Sequence, residues 1–463
     1  MKIYNSLTRR KEEFVPLEAG KVKMYACGIT VSGEAHIGHA YQAIVYDVFR
    51  KYLEKLGFAV TYARNYTDVD DKIIARSRET GIPADEYAAA MIENINAVMR
   101  RAEIDEPTLW LKATENIGNI IAFIRELVDK GHAYAADNGD VYFDLDTFPA
   151  YGKLSGRSVE DALDGVRVEN DGAKRNPYDF ALWKAAKAGE IFWESPWGRG
   201  RPGWHIECSA MNRVAFGDQI DIHGGGRDLV FPHHENEIVQ SEALSGKKFA
   251  KYWTHNGLIK VNGQKMSKSL GNSLLLSELL DKYSPDALKF ALLSNNYRMD
   301  INITDALFPE AEAHIARFYR VIGEAEARFP NETGCEEEID GRFNAAMNDD
   351  FNTALALSDL FGYFKEVSRL IAEGDPKARR MTNQIKKTYA LLGVLKKTPE
   401  AYFAAYGNKE EIPQEALAAA EERKAARARK DWAKSDELRD KLKAMGYAVK
   451  DTKDGYELTR LAP

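Results

Sequence analysis

The sequence of 463 residues predicts an α/β fold, with a parallel sheet in its first part and helices in its last part. A strand-like run at 22–26 precedes a helix-like run at 38–56, whose apolar residues recur at helical spacing, and a second strand-like run lies at 58–63. Strand, helix and strand in this order form a βαβ crossover, which makes the two strands parallel. We therefore expect a Rossmann-like domain whose ligands lie at the carboxyl ends of its strands.

The last part of the chain is predicted to be helical. Three segments after Gly271 show helical spacing without strands between them, at 310–327, 343–372 and 377–395, and predict an antiparallel bundle. A small mixed domain follows, and it ends in a strand pair, 447–450 and 456–459, around a turn at 453–455.

Composition and charge exclude several classes of protein. Hydrophobic residues make up 44% and charged residues 29%, which is ordinary globular usage, and no apolar run is long enough for a transmembrane helix. The first residues lack an apolar signal core and there are only three cysteines, so we expect a cytoplasmic protein. The net charge of −7 does not suit a generic nucleic-acid binder. A basic run at 423–430, followed by Trp432, is nevertheless able to track a phosphate backbone.

Two short signatures are suited to ATP phosphates. They are His-Ile-Gly-His at 36–39 and Lys-Met-Ser-Lys-Ser at 265–269, 226 positions apart from 39 to 265. Histidines at the start of a helix reach phosphate oxygens where the helix dipole also favours an anion. Lysines on a loop can follow the charge that develops on a pyrophosphate leaving group.

A set of metal-ligand residues accompanies these signatures. Cys27 ends the first strand-like run, Cys208 lies in a second motif-dense segment, and His233 and Glu237 are four apart, so they share a face on a helix starting after Pro232. Two thiolates, one imidazole and one carboxylate form a tetrahedral set that suits Zn²⁺. The neighbouring His234 competes with His233, but only His233 is four residues from Glu237.

The order of the two signatures, with a strand before the first, resembles class I aminoacyl-tRNA synthetases and implies carboxylate adenylation. Six segments resemble bacterial cysteinyl-tRNA synthetases more specifically, at 27–31, 65–73, 203–210, 221–226, 231–237 and 265–272. The resemblance runs nearly end to end. It implies the ATP-dependent activation of L-cysteine to cysteinyl-adenylate and transfer to the 3′ end of cysteine tRNA.

The resemblance also implies a cofactor and partners. One Zn²⁺ per chain would be held by Cys27, Cys208, His233 and Glu237 and would recognise the substrate thiolate. ATP would enter with Mg²⁺ as a substrate. Cysteine tRNA would be the macromolecular partner of a monomer that contacts no membrane.

Roles for further residues follow from position in the family. His36 and His39 would hold the ATP phosphates, and Lys265 and Lys268 would stabilise the departing pyrophosphate, with Lys268 in direct contact with ATP. Gly225 and His255 are candidates for the ATP site, and the run of three glycines at 224–226 would let the backbone approach adenosine. Four residues are candidates for the substrate site: Gly28, Thr67, Trp204 and Asp228. The alternatives are turn residues for Thr67 and Asp228 and a core aromatic for Trp204.

The resemblance divides the chain into six regions. They are the first half of the catalytic fold at 1–110, an inserted acceptor-end domain at 111–195, the second half of the catalytic fold at 196–260, the lysine-signature loop and stem-contact region at 261–309, a helical bundle at 310–407 and an anticodon-binding domain at 408–463.

The chain departs from the family pattern at three places. Ser32-Gly33 and Tyr41 replace the usual residues beside the first signature, and Gly455-Tyr456-Glu457-Leu458 replaces a Gly-Thr-x-Trp pattern near the end. Two alternatives therefore remain: a paralogous ligase that transfers cysteine to a small-molecule amine, and a zinc-containing RNA-binding protein without catalysis. The C-terminal module argues against the first, and the intact signatures argue against the second.

Overall fold

Two short antiparallel strands begin the chain, β1 (Lys2–Asn5) and β2 (Arg10–Glu13). The computed structural model describes residues 1–158, 173–266, 271–407, 414–452 and 455–460. The chain forms two units, 1–400 and 401–463. Within the described ranges, no helix combines the length and the apolar character needed to cross a membrane.

The predicted βαβ crossover is present as β3 (Lys21–Thr30), α1 (Ile37–Lys55) and β4 (Ala59–Thr67), and β4 lies parallel beside β3. Apolar side chains at helical spacing in α1, such as Ile44 and Val48, are buried. β4 continues past its predicted end at residue 63, so Asn65 and Thr67 lie within the strand and not after it.

The next part of the chain leads into an inserted antiparallel sheet. It begins with α2 (Asp71–Thr80), α3 (Ala84–Arg101), β5 (Leu109–Lys112) and α4 (Ile117–Asp129). Four strands follow in spatial order, β6 (Ala133–Ala135), β7 (Val141–Phe143), β8 (Phe180–Ala185) and β9 (Gly200–Pro202). Ile120, Leu182 and Trp183 are fully buried in the core between this sheet and α4. Only turns were predicted here, because strands this short carry little periodicity.

The chain then returns to the parallel sheet with α5 (Trp204–Phe216), β10 (Ile220–Gly226), α6 (Glu235–Ser245) and β11 (Ala250–Asn256). The strand order is β11-β10-β3-β4-β5, and every neighbouring pair is parallel. The predicted α/β class is therefore confirmed. The carboxyl ends of all five strands meet at one edge, where such sheets bind their ligands.

A small three-stranded sheet follows. It contains β12 (Ile259–Val261), β13 (Gln264–Lys265) and, after α7 (Leu276–Lys282) and α8 (Pro285–Leu293), β14 (Ile301–Ile303). The lysine signature begins at the end of β13. Its residues 267–270, which include Lys268, lie outside the described part of the chain.

The rest of the first unit is helical, with α9 (Leu307–Arg328), α10 (Glu337–Met347), α11 (Thr353–Glu373) and α12 (Lys377–Tyr389). The prediction of one continuous helix over 343–372 was wrong, because the chain breaks between α10 and α11. Asp350 and Phe351 there adopt positive φ values of 63° and 50°. Phe351 stacks on Phe49 at 3.7 Å, and Asp350 accepts a hydrogen bond from the backbone N–H of Tyr4 at 2.8 Å. These distant contacts stabilise a conformation that helical spacing alone does not indicate.

A short helix, α13 (Pro399–Tyr406), spans the boundary between the units. The second unit then contains α14 (Gln414–Ala428), α15 (Trp432–Ala444) and the antiparallel pair β15 (Tyr447–Thr452) and β16 (Gly455–Arg460), around a core that includes Ala420 and Leu442. The predicted strand pair is confirmed, whereas turn residues 453 and 454 lie outside the described ranges. Arg423 is buried and bonds Asp451 at 2.7 Å, so part of the basic run is internal.

Candidate active site

A cleft of about 630 Å³ opens where β3, β4, β10 and β11 end. Most of the predicted site residues line it: Cys27, Gly28, His36, His39, Thr67, Trp204, Cys208, Asp228, His233 and Lys265. They come from segments up to 238 positions apart, from Cys27 to Lys265. The sheet topology brings them together, because the strands that carry them end at the same edge.

Four buried side chains form a cluster on the floor of this cleft. The Sγ atoms of Cys27 and Cys208 are 3.7 Å apart, and Cys27 Sγ lies 3.3 Å from Glu237 Oε1. His233 Nε2 lies 3.2 Å from the same carboxylate oxygen. The ligand atoms of all four residues lie within 4.8 Å of one another.

The donor set and its spacing fit a zinc ion. Two thiolates bound tetrahedrally at the usual Zn–S length of about 2.3 Å lie about 3.8 Å apart, close to the observed separation of the two sulfurs. The other ring nitrogen of His233, Nδ1, lies 3.0 Å from His205 Nδ1, a contact that orients the imidazole.

Burial sets the protonation of this cluster. It raises the pKa of the Cys27 thiol well above its usual value, and the neighbouring Cys208 and Glu237 raise it further. Burial also lowers the pKa of His233 well below its usual value, so the imidazole is neutral and can donate a lone pair. A divalent cation stabilises thiolates, which burial alone disfavours, so metal binding here would release protons.

A second quartet overlaps the first, since Cys27 and Glu237 also lie within 4.8 Å of His223 and His234 in their ligand atoms. His234 Nδ1 is 2.8 Å from His255 Nε2, which turns that ring toward the protein interior. Three members of the first quartet line the cleft, but only Cys27 of the second does. A metal in the first quartet would therefore be open to a ligand from the cleft, as a recognition site requires.

The two predicted ATP signatures lie close together. His36 is the N-cap of α1, and its ring stacks on that of His39 with centroids 3.6 Å apart, so both lie at a helix N-terminus as the motif predicts. A Cβ atom on Gly38 would lie 3.4 Å from the Cε atom of Met266, the residue after Lys265. The backbone N–H of Ile37 donates to the carbonyl of Leu274 at 2.9 Å and closes the same corner.

Thr67 is held by polar neighbours at the end of β4. Its hydroxyl donates to Glu207 Oε2 at 2.9 Å, and Asn65 Nδ2 lies 3.4 Å from the same hydroxyl oxygen. Glu207 is fully buried in α5. The hydroxyl proton is thus directed into the protein, which leaves a lone pair of Thr67 for a donor in the cleft.

Gly28, Trp204 and Asp228 lie on the cleft walls. A Cβ atom on Gly28 would fall 1.6 Å from the carbonyl oxygen of Asn65, so only glycine fits between β3 and β4. Trp204 is 39% exposed and stacks over His233 with centroids 4.3 Å apart, so it is a wall residue and not a core aromatic. Asp228 follows β10 in a short 3₁₀ turn.

Gly225 and His255 lie behind the cleft wall and do not line it. His255 is buried between His234 and Ser6, whose hydroxyl oxygen is 2.8 Å from His255 Nδ1. Two of the three glycines have packing roles: a Cβ on Gly224 would meet the ring of Tyr46 at 2.4 Å, and one on Gly225 would meet His234 at 3.0 Å. Only Gly226 faces the cleft.

The residues that depart from the family pattern, Ser32, Gly33 and Tyr41, also line the cleft. Tyr41 is buried, and its hydroxyl donates to the carbonyl of Tyr297 at 3.0 Å. Tyr41, one of the three departures, therefore makes a defined hydrogen bond within the fold.

The sequence reasoning missed three polar residues. Gln42 donates from Nε2 to the carbonyl of Cys27 at 2.7 Å, and Asn65 Oδ1 accepts the backbone N–H of Gly28 at 2.8 Å. Glu207 supports Thr67. Each is a polar residue within an otherwise buried strand or helix face, which is the signal that would have found them.

Comparisons with protein-family models cover nearly the whole chain. Residues 13–313 match the model for the tRNA synthetases class I (C) catalytic domain. Residues 342–396 match the DALR domain, and residues 409–457 match the cysteinyl-tRNA ligase anticodon binding domain.

Full-length relatives and more distant structures agree with these matches. The chain is 48% identical to a cysteine–tRNA ligase from Azotobacter vinelandii and 44% identical to one from Geotalea daltonii, in each case over 98% of both chains. It also resembles the fold of Mycobacterium tuberculosis methionyl-tRNA synthetase in complex with methionyl-adenylate, with a TM-score of 0.58, 14% identity and coverage of 84% of this chain and 96% of that one. A leucyl-tRNA synthetase ternary complex from Agrobacterium radiobacter gives a TM-score of 0.62, 11% identity and coverage of 86% of both chains.

Proposed function

The chain belongs to the cysteine–tRNA ligase family, and we propose that the cleft described above is where it binds its substrates. The enzyme activates L-cysteine with ATP to cysteinyl-adenylate and transfers the cysteinyl group to the 3′ end of cysteine tRNA. The observation that carries the assignment of the site is the buried quartet of Cys27, Cys208, His233 and Glu237, which faces the cleft beside the two ATP signatures.

We propose that this quartet holds one Zn²⁺. The thiolate of the substrate would bind a zinc ion held there as an additional ligand from the cleft. The hydroxyl of serine is a poorer zinc ligand, so selection does not depend on a size difference, which is worth only about 1–3 kcal/mol. Trp204, stacked over His233, would form the wall beside the substrate side chain.

The substrate's polar groups would meet the wall of β3, β4 and β10. Thr67 presents a lone pair because its hydroxyl donates its hydrogen bond to Glu207, and the exposed carboxylate of Asp228 lines the same cleft. Both acceptors suit an ammonium group. Gly28 would let the substrate approach the backbone of β3.

No protein side chain has to act as a nucleophile in adenylation. The carboxylate of cysteine attacks the α-phosphorus of ATP, so the protein supplies positions and positive charge. His36 and His39 at the N-terminus of α1 would hold the phosphates, which enter with Mg²⁺. Lys265, which lines the cleft, and Lys268 would stabilise the leaving pyrophosphate.

The remaining parts of the chain would serve cysteine tRNA. We propose that the inserted domain at 111–195 contacts the acceptor end and that residues 408–463 read the anticodon region, with the helical bundle at 310–407 between them in sequence. We also propose that the enzyme is a cytoplasmic monomer, since a reducing compartment keeps Cys27 and Cys208 available as metal ligands.

Cysteine-dependent ATP–pyrophosphate exchange, followed by charging of purified tRNA, tests this function. We expect exchange with cysteine and none above background with serine, together with charging of cysteine tRNA alone. Exchange without charging of any tRNA would contradict the ligase assignment and would favour a small-molecule acceptor. Exchange with another amino acid would contradict the proposed zinc-based selection.

A further inference from the structure

Glu235 is a fully buried acid to which the reaction gives no role. It begins α6, two residues after His233 and two before Glu237. Among the described residues, no lysine or arginine forms an ion pair with its carboxylate. An isolated carboxylate in such a place is costly unless hydrogen-bond donors replace the lost water.

The donors come from the inserted segment. The backbone N–H of Gly152 donates to Glu235 Oε1 at 3.0 Å, and that of Ser155 donates to Oε2 at 2.8 Å. The N–H of Leu154 lies 3.2 Å from Oε2 and 3.4 Å from Oε1. Three N–H donors from one turn, at positions 152, 154 and 155, thus surround one carboxylate, much as backbone nests surround bound anions. We refer to the Glu235 carboxylate and these three N–H groups as the Glu235 latch.

The turn is built to present these groups. Gly152 has a φ of +88°, and a Cβ atom there would fall 1.9 Å from the carbonyl oxygen of Arg157. The same turn contacts α6 through two further side chains: the hydroxyl of Tyr151 donates to Asn236 Oδ1 at 3.0 Å, and Lys153 forms an ion pair with Glu242. The bonds that Gly152 and Leu154 donate to Glu235 are buried, whereas the Tyr151–Asn236 bond is partly buried and the Lys153–Glu242 pair is exposed.

The position of the latch links it to the metal ligands. The turn at 230–234 before α6 is irregular, with Phe231 in an extended conformation. Glu235 is the attachment of α6 to the inserted segment that lies nearest to the proposed ligands, so a shift of Glu235 would displace its chain neighbours His233 and Glu237. Supporting hydrogen bonds of this kind commonly change metal affinity about 10–100-fold.

We propose that Glu235 is a positioning residue of the metal site and that the Glu235 latch couples the inserted segment to the placement of His233 and Glu237. The inference rests on the proposed zinc site. By reciprocity, metal binding stabilises the latch as much as the latch stabilises metal binding.

The first test measures Zn²⁺ alone, in competition with a chromophoric chelator, on the full-length protein. Glu235→Gln keeps the volume but turns an NH₂ group toward the N–H donors, and we expect zinc affinity to fall about 10–100-fold. Glu242→Gln is the matched control, because it breaks the exposed ion pair between the same turn and the same helix, and its affinity should stay within about twofold of wild type. Equal affinities in all three proteins would overturn the proposal.

A second variant reaches the latch from the opposite side. Gly152→Ala disrupts the turn without touching α6, and we expect it to weaken zinc binding in the same way. The double variant should bind zinc no more weakly than the worse single variant, because both changes remove one interaction. Additive losses would show that the two residues act independently and would overturn the latch. The absorption bands of Co²⁺-substituted protein should shift in both single variants and not in Glu242→Gln.

Amide hydrogen exchange distinguishes this coupling from a merely structural role of Glu235, because a merely structural role would not make the exchange rates depend on the metal. The amides of Leu154 and Ser155 should exchange slowly in the zinc-loaded protein and faster after the metal is removed. Unchanged exchange on metal removal would contradict the coupling even if Glu235→Gln failed to fold. A wild-type protein that binds no zinc would refute the zinc site itself, whereas loss of cysteine activation with normal zinc binding would count against the proposed function alone.

Discussion

The Sγ atoms of Cys27 and Cys208 lie 3.7 Å apart although 181 positions separate the two residues. Cys27 lies near the end of β3 and Cys208 on α5, so the close approach depends on the packing of that helix on the parallel sheet. Two buried thiols at the spacing of tetrahedral zinc ligands are the basis of the first prediction.

Cys208→Ala should lose most of its zinc, because the variant removes one of the two thiolates that would bind and neutralise the buried ion. Elemental analysis of the purified protein measures the metal content. Cys335→Ala is the control, because Cys335 is exposed and lies outside both quartets. Full zinc occupancy in Cys208→Ala would contradict the assigned ligand set.

The second prediction concerns the lysine signature. Lys268→Ala should slow ATP–pyrophosphate exchange by about 10²–10³, the usual loss when one charge-stabilising group is removed. Zinc content should not change, because a lysine ammonium is not a metal ligand and the four proposed ligands stay in place. Lys282→Ala, at the end of α7, is a control of the same charge. An exchange rate equal to that of the control would mean that the signature has no catalytic role here.

The third prediction tests how Thr67 is oriented. Glu207→Gln should raise the KM for cysteine about tenfold, which corresponds to about 1.4 kcal/mol, and change the KM for ATP little, because the hydrogen bond that orients the Thr67 hydroxyl is altered beside the proposed cysteine site only. Thr67→Val should have a similar effect, and the double variant should be no worse than the worse single one. Thr61→Val, earlier in the same strand, is the control. Equal increases in both KM values would indicate a general distortion of the cleft.

The fourth prediction concerns stability and pH. Burial lowers the pKa of Lys289 to about 8, against the opposing effect of Glu103 and Asp286. An unfolded lysine keeps its proton up to about pH 10.4, so between pH 8 and that value the unfolded state binds more protons. This residue therefore makes the free energy of unfolding rise with pH across that interval, by about 3 kcal/mol at most.

Urea unfolding at pH 7.5 and at pH 10 measures this effect. Other groups also titrate there, so the quantity to compare is the pH-dependent change in wild type minus the change in Lys289→Met. We expect a larger rise, or a smaller fall, in the wild type. Lys387→Met, at an exposed position of α12, should leave the wild-type change intact. Identical changes in wild type and Lys289→Met would contradict the lowered pKa.

Structural features that depend on neighbouring residues could be predicted from the sequence, whereas features that depend on contacts with distant residues could not. The βαβ unit and the position of His36 at a helix start follow from local periodicity and were confirmed. The break at Asp350 was missed because its partners, Tyr4 and Tyr297, are far away in the chain. Tertiary contacts there override helical spacing.

The candidate site shows the same division. The proposed zinc quartet was predicted from residue types and from a family resemblance, whereas the roles of Glu207 and Glu235 became visible only in the structure, because a buried acid has no local signature of its partner. The glycine run was interpreted as an adenosine contact, yet a side chain at Gly224 would collide with the ring of Tyr46. A run of glycines indicates that some group packs closely against the backbone, but it does not indicate whether that group is a ligand or a side chain of the protein.

The last prediction separates activation from transfer. Residues 401–463 form a unit of their own with its own core, and every described residue that lines the cleft lies before residue 274. Deleting residues 408–463 should therefore leave cysteine-dependent ATP–pyrophosphate exchange within about twofold of wild type. Charging of cysteine tRNA should fall much further, because a module that binds the anticodon region supplies affinity and orientation without touching the adenylate. Both rates are measured on the same preparation, and the ratio of charging to exchange is compared between the truncated protein and the full chain. If the truncated protein charges tRNA as well as the full chain, the C-terminal unit does not serve tRNA recognition, and the residues that replace the Gly-Thr-x-Trp pattern, from Gly455 onward, would be the first place to look for another role.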